Sequence, residues 1–300
     1  MMSMLHSNVE PSWHWETNAE FINDPLAVIY HEGQWTLSKV SPLNNLQYNR
    51  VKLKQYASKI RLALVSSVST KSSVNYAVQF DQQSLLKYCE DDADALKINV
   101  ATTTNGGKTK MAYTGILMSW GVSSGPEGTV HLPYMLERGE KKIADVIKIC
   151  LQKIFDCNIK PLSFTQYQLL MFGFSFVECA SARGTDPFVL SYTTPGAVDI
   201  KNKLDMRFEV SDVHYMWNAL KDEVENMSEL ISQVYQILQK QIMHTIQYDI
   251  SFLDIFKITL LKAEIKSNGI VKMKSPEVVN SVFTVLNEII CNETPLELDS

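Results

Sequence analysis

From about residue 49 the apolar side chains Leu53, Tyr56, Ala57, Ile60 and Leu64 recur three or four positions apart, the spacing of one helix face. Upstream, a short apolar run at residues 26–30 turns at His31-Glu32-Gly33 into Gln34-Trp35-Thr36-Leu37-Ser38-Lys39-Val40, which alternates like a half-buried strand. Strands are predicted around Val74-Tyr76-Val78-Phe80 and Leu96-Ile98-Val100, and Asn105-Gly106-Gly107 signals a hairpin into a third strand at residues 108–120. A loop at 121–133 precedes a strongly amphipathic helix carrying Ile143, Ile147, Leu151, Ile154 and Phe155. A second, more apolar helix is predicted from Phe164 to about Ala182.

The second half repeats this in outline. Residues 188–193 and Leu204-Met206-Phe208-Val210 read as strands, and Ser211 with Asp212 offers N-cap chemistry to a helix ending near Leu220. A longer helix carries Leu230, Val234, Leu238 and Ile246. One strand is then predicted over residues 255–265, a turn at Ser267-Asn268-Gly269, and a strand over 270–274. Ser275-Pro276 opens the closing helix, with proline where its missing N–H costs nothing. The fold class is α+β: two strand-rich halves, mostly antiparallel sheets backed by helices. The divisions are a loose leader at 1–19, an N-terminal half at 20–182 and a C-terminal half at 183–300.

Composition narrows the function classes. A net charge of −5 over 300 residues excludes a generally basic nucleic-acid module, so any DNA contact must come from a local patch. The five cysteines are scattered without a CxxC pair, which suits a reducing compartment. The first twenty residues show no basic stretch followed by an apolar core, arguing against a signal peptide. The longest uncharged run, 161–177, falls short of the roughly 20 apolar residues of a membrane span and reads as a buried helix.

Catalytic motifs do not assemble. Gly121-Val122-Ser123-Ser124-Gly125 matches a nucleophile elbow, but Pro126, Gly128 and Pro133 follow where the motif needs a helix. Gly107-Lys108-Thr109 ends like a phosphate loop, yet Thr102 stands where its first glycine belongs, and a hairpin fits better. The six histidines show no metal-ligand spacing, and Glu90-Asp91-Asp92-Ala93-Asp94 lacks the frame of a calcium loop and reads as a solvated connection. No cofactor is expected. More informative is the first long helix, where Arg50, Lys52, Lys54, Lys59 and Arg61 occur without an acidic neighbour. It is either a solvated helix back or a patch that contacts DNA phosphates independently of sequence. Arg138, Lys141, Lys142 and Lys148 form a second such group.

Three stretches resemble the centromere protein L (CENP-L) family. They are Gln34-Trp35-Thr36-Leu37 followed by Ser41-Pro42-Leu43, Thr114-Gly115 after the hairpin, and Leu151-Gln152-Lys153-Ile154-Phe155-Asp156-Cys157 with Pro161-Leu162. The resemblance implies a non-enzymatic structural subunit of the inner kinetochore, the constitutive centromere-associated network, located in the nucleus at the centromere. It further implies a heterodimer with centromere protein N, made through the C-terminal region and joined to other inner-kinetochore subunits on CENP-A chromatin. The competing class is an intracellular hydrolase-like enzyme with a site assembled from distant residues. Trp35, Leu37, Phe155 and Leu162, which carry the resemblance, are expected in the core. The strand of Ile270, Val271 and Met273 is expected at a sheet edge, there to bind the partner with help from Phe256, Ile258 and Leu260.

Overall fold

The computed structural model describes residues 24–68, 74–104, 106–122, 127–180, 186–194 and 203–293. The expected leader at 1–19 and the elbow serine Ser123 lie outside the described residues. The helices are α1 (Ala27–Tyr30), α2 (Arg50–Val68), α3 (Lys141–Phe155), α4 (Gln166–Cys179), α5 (Val210–Lys221), α6 (Met227–Ile246) and α7 (Pro276–Glu293). The strands are β1 (Gln34–Val40), β2 (Leu43–Asn44), β3 (Asn75–Gln83), β4 (Ala95–Thr103), β5 (Thr109–Met118), β6 (Thr129–Val130), β7 (Tyr134–Gly139), β8 (Ile159–Pro161), β9 (Pro187–Thr193), β10 (Leu204–Glu209), β11 (Asp254–Thr259), β12 (Ala263–Lys266) and β13 (Ile270–Met273).

The fold is α+β, and strands from both halves join one antiparallel sheet of eleven strands in the order β10-β9-β11-β12-β13-β1-β7-β5-β4-β3, with β8 paired beside β1. Its two ends are covered on opposite faces. Leu37, Leu136 and Ile116 lie side by side on β1, β7 and β5 and belong to the core under α1 and α4–α7. Their neighbours Met135 and Leu117 point the other way, into a second core under α2 and α3. The central strands are therefore buried on both faces. That explains why β7 gave no strand signal: Tyr134, Met135 and Leu136 are all fully buried, so the polar half of an alternation is missing.

Several local expectations need correction. The strand expected over 255–265 is two strands, β11 and β12, because the chain reverses at residues 260–262 and Leu260 N–H bonds the Ala263 carbonyl. The helix α5 starts at Val210 with Glu209 at its N-cap position, so Ser211 and Asp212 lie inside its first turn. The helix α4 matches its reading as a buried element: Thr165 and Gln168 form a reciprocal capping box, and eight of its fourteen residues are buried.

Of the four expected core residues, Trp35, Leu37 and Phe155 are fully buried, and Leu162 packs half-buried against the first core. Two glycines have backbone reasons to be there. Gly139 has φ +124°, and a Cβ on it would lie 2.2 Å from the Ala112 carbonyl oxygen. At Gly269, φ is +77° and a Cβ would sit 2.3 Å from the Leu162 carbonyl oxygen.

Candidate interaction surfaces

The C-terminal sheet does not present the edge that the sequence suggested. Strand β13 is interior: Val271 pairs with Ile265 of β12 on one side and with Trp35 of β1 on the other. Its backbone is used on both sides, and Val271, Met273 and Ile258 are fully buried, with Leu260 nearly so. Ile270 is half-buried on the face away from the first core, opposite Thr36. Phe256 is the extra residue of a β-bulge between Ile255 and Lys257. The expectation failed because the strand that covers β13 comes from residues 34–40, more than two hundred positions upstream, and no local pattern announces such a pairing.

Among the described residues, the free edge of this half is β10. Val210 N–H bonds the Asp186 carbonyl at 3.0 Å, which fixes the phase of the β9–β10 ladder. Residues 204, 206 and 208 therefore direct their backbone groups at β9, and Asp205, Arg207 and Glu209 direct theirs outward. Pro187, opposite Glu209, agrees with this phase because a proline cannot donate to a ladder. Leu204, Met206 and Phe208 are half-buried against the first core, while the three charged residues are exposed.

The other end of the sheet carries the basic helix. Asn49 accepts a hydrogen bond from the Lys52 amide at 2.9 Å and starts α2. Tyr56, Ile60 and Leu64 form its buried stripe, with the Tyr56 ring 4.9 Å from Phe155 and 6.1 Å from Phe80. The five cations divide. Arg50, Lys54 and Arg61 line a groove of about 740 Å³ against β3, whereas Lys52 and Lys59 lie outside it. None of the five forms an ion pair among the described residues. Two of the second basic group are instead used within the fold, while Lys141 and Lys142 are exposed. Arg138 pairs with Glu32 and lies 5.9 Å from the centre of the Trp35 ring, and Lys148 pairs with the buried Glu137 at 2.7 Å.

The remaining motifs resolve as structure. Gly107-Lys108-Thr109 leads into β5, antiparallel to β4, as a hairpin should. The acidic run is not wholly solvated: Asp92 is buried and accepts from the amides of Gly121, at 2.9 and 3.0 Å, and of Tyr88, at 2.9 Å, pinning the loop before β4 to the end of β5. Among the described residues, no group of three or more His, Cys, Asp and Glu is placed to hold a metal ion, and no helix is long and apolar enough to cross a membrane.

These features define an α+β protein organised on one long antiparallel sheet, with strand edges and a charged groove as its candidate contact surfaces. A family model described as Centromere protein L matches residues 31–292. The chain is 22% identical over 294 residues to Centromere protein L of Xenopus tropicalis, covering 90% of this chain and 81% of the relative. To Centromere protein L of Danio rerio it is 20% identical over 279 residues, covering 86% of this chain and 74% of the relative. The chain belongs to the Centromere protein L family.

Proposed function

We propose that this protein is a non-enzymatic structural subunit of the inner kinetochore, that it resides at the centromere in the nucleus, and that it pairs with centromere protein N. The observation that carries this reading is the family match, which spans 31–292 and so takes in every strand of the sheet and most of both cores. The pairing is assigned to the β10 edge. Its outward amides and carbonyls at Asp205, Arg207 and Glu209 lack a neighbouring strand among the described residues, and an extended strand of the partner satisfies them.

The test is co-expression with centromere protein N followed by size-exclusion chromatography. Arg207→Pro removes an outward N–H that the β9 ladder does not use, so the chain stays folded and co-elution is lost. Retained co-elution of Arg207→Pro would move the interface away from β10. Failure of the wild-type chain to co-elute would overturn the pairing itself.

A further inference from the structure

We propose that the groove between α2 and the free edge of β3 takes an extended acidic segment of a partner protein, which adds to the sheet as a further strand. This surface is at the opposite end of the sheet from β10 and does not depend on the pairing assigned there.

Three observations converge. First, β3 is nine residues long and pairs with β4 alone among the described residues, so one row of its backbone groups faces the groove without a strand partner. An uncovered edge of that length is an invitation to strand addition. Second, the groove runs along both of its walls rather than across them. Its helical wall extends from Arg50 to Arg61, about 16.5 Å at 1.5 Å per residue. Its strand wall extends from Ala77 to Gln82, again about 16.5 Å at 3.3 Å per residue. An extended segment of five or six residues has that length. Third, the helical wall is basic. Arg50, Lys54 and Arg61 occupy one stripe, with the small residues Ala57 and Ser58 between them leaving room for a chain. Among the described residues Asp81 is the one acid lining the groove, and it is engaged by the Gln79 amide at 2.8 Å.

An acidic peptide satisfies both walls at once. Its amides and carbonyls pair with β3, and its alternate side chains, all on one side of an extended chain, reach the cations of α2. Nucleic acid satisfies only one. Phosphate oxygens accept hydrogen bonds but cannot donate to the outward carbonyls of β3.

The test uses the full chain and a fluorescein-labelled peptide of about nine residues with alternating glutamate and valine, read by fluorescence anisotropy. Binding is expected, and Lys54→Glu combined with Arg61→Glu weakens it at least tenfold. Both side chains are exposed, so the variant keeps the wild-type melting temperature. A peptide with lysine in place of glutamate does not bind. Two further peptides, N-methylated on one or the other alternate set of residues, keep the charge but block one face of backbone pairing, and at least one of them loses binding. Undiminished binding of both N-methylated peptides, or of the unmodified peptide to the double variant, would overturn strand addition. So would a duplex of about 20 base pairs that displaces the peptide and binds more tightly than it does, since that outcome makes the stripe a phosphate surface.

Discussion

Trp35 of β1 and Val271 of β13 stand directly opposite one another, both fully buried, in the ladder that joins the strands of the N-terminal half to those of the C-terminal half. The Trp35 indole N–H also donates to the Ile29 carbonyl at 2.9 Å, so the same side chain holds the short α1 against the sheet. The sheet and the first core are continuous because this pair is packed.

Val271→Asp therefore acts on the whole fold rather than on a surface. A carboxylate placed opposite Trp35 has no partner and no water, and a loss of more than about 4 kcal/mol is expected. Urea unfolding followed by circular dichroism should show the transition shifted to much lower denaturant or absent. A midpoint equal to that of the wild type would mean that β13 is exposed after all.

Phe155 closes the second core beneath Tyr56. Removing its ring leaves a cavity between α2 and α3, and Phe155→Ala is expected to cost about 3–5 kcal/mol. Phe155→Leu, which refills most of the space, should recover more than half of that. Thermal melts of the two variants side by side provide the measurement.

Gly269 joins three segments: its carbonyl accepts from the Leu37 amide at 2.8 Å, and its α-carbon faces the Leu162 carbonyl. Gly269→Ala introduces both a disfavoured backbone conformation and a backbone clash, for which about 2–4 kcal/mol is expected. Asn268→Ala, one residue earlier and exposed, should change stability by less than about 0.5 kcal/mol. Equal melting temperatures for the two variants would contradict the close approach.

Burial pushes the Cys157 thiol up from 9.0 to about 11. Near pH 8 the folded protein then holds roughly a hundredfold less thiolate at this position than an unperturbed cysteine, and the thiolate is the reactive form. Alkylation by iodoacetamide, followed by peptide mass spectrometry, should be correspondingly slow in the native protein and fast in urea. The sign follows from the raised value: native labelling of Cys157 accelerates as pH rises towards 11. Labelling at the same rate with and without urea would show an exposed thiol.

Much of the element order was legible because the signals are local. The helical recurrence of Leu53, Tyr56, Ile60 and Leu64, the alternation of β1 and the Gly107 hairpin each reflect backbone geometry acting over a few residues. The core positions Trp35, Leu37 and Phe155 were expected from the family resemblance that they carry, and all three are fully buried. The groove was partly legible: the acid-free run of cations in α2 stood out in the sequence, but only packing showed that Arg50, Lys54 and Arg61 look along a free strand edge. The elements that escaped are those whose neighbours are distant in sequence. Strand β7 lost its alternation because helices cover both of its faces, and the supposed edge β13 became interior because β1 returns to cover it.

The sequence by itself determined the α+β class, most helices and strands, their buried sides and the run of cations in α2 with no acid among them, all consequences of periodicity and charge along the chain. Tertiary structure alone decided which strands are edges. An edge is defined by the absence of a neighbour, and backbone hydrogen bonding does not depend on the identity of the side chains that bring two strands together. The open ends of the sheet, β10 and β3, where contacts with other chains are proposed, could therefore be found only once the whole sheet was assembled.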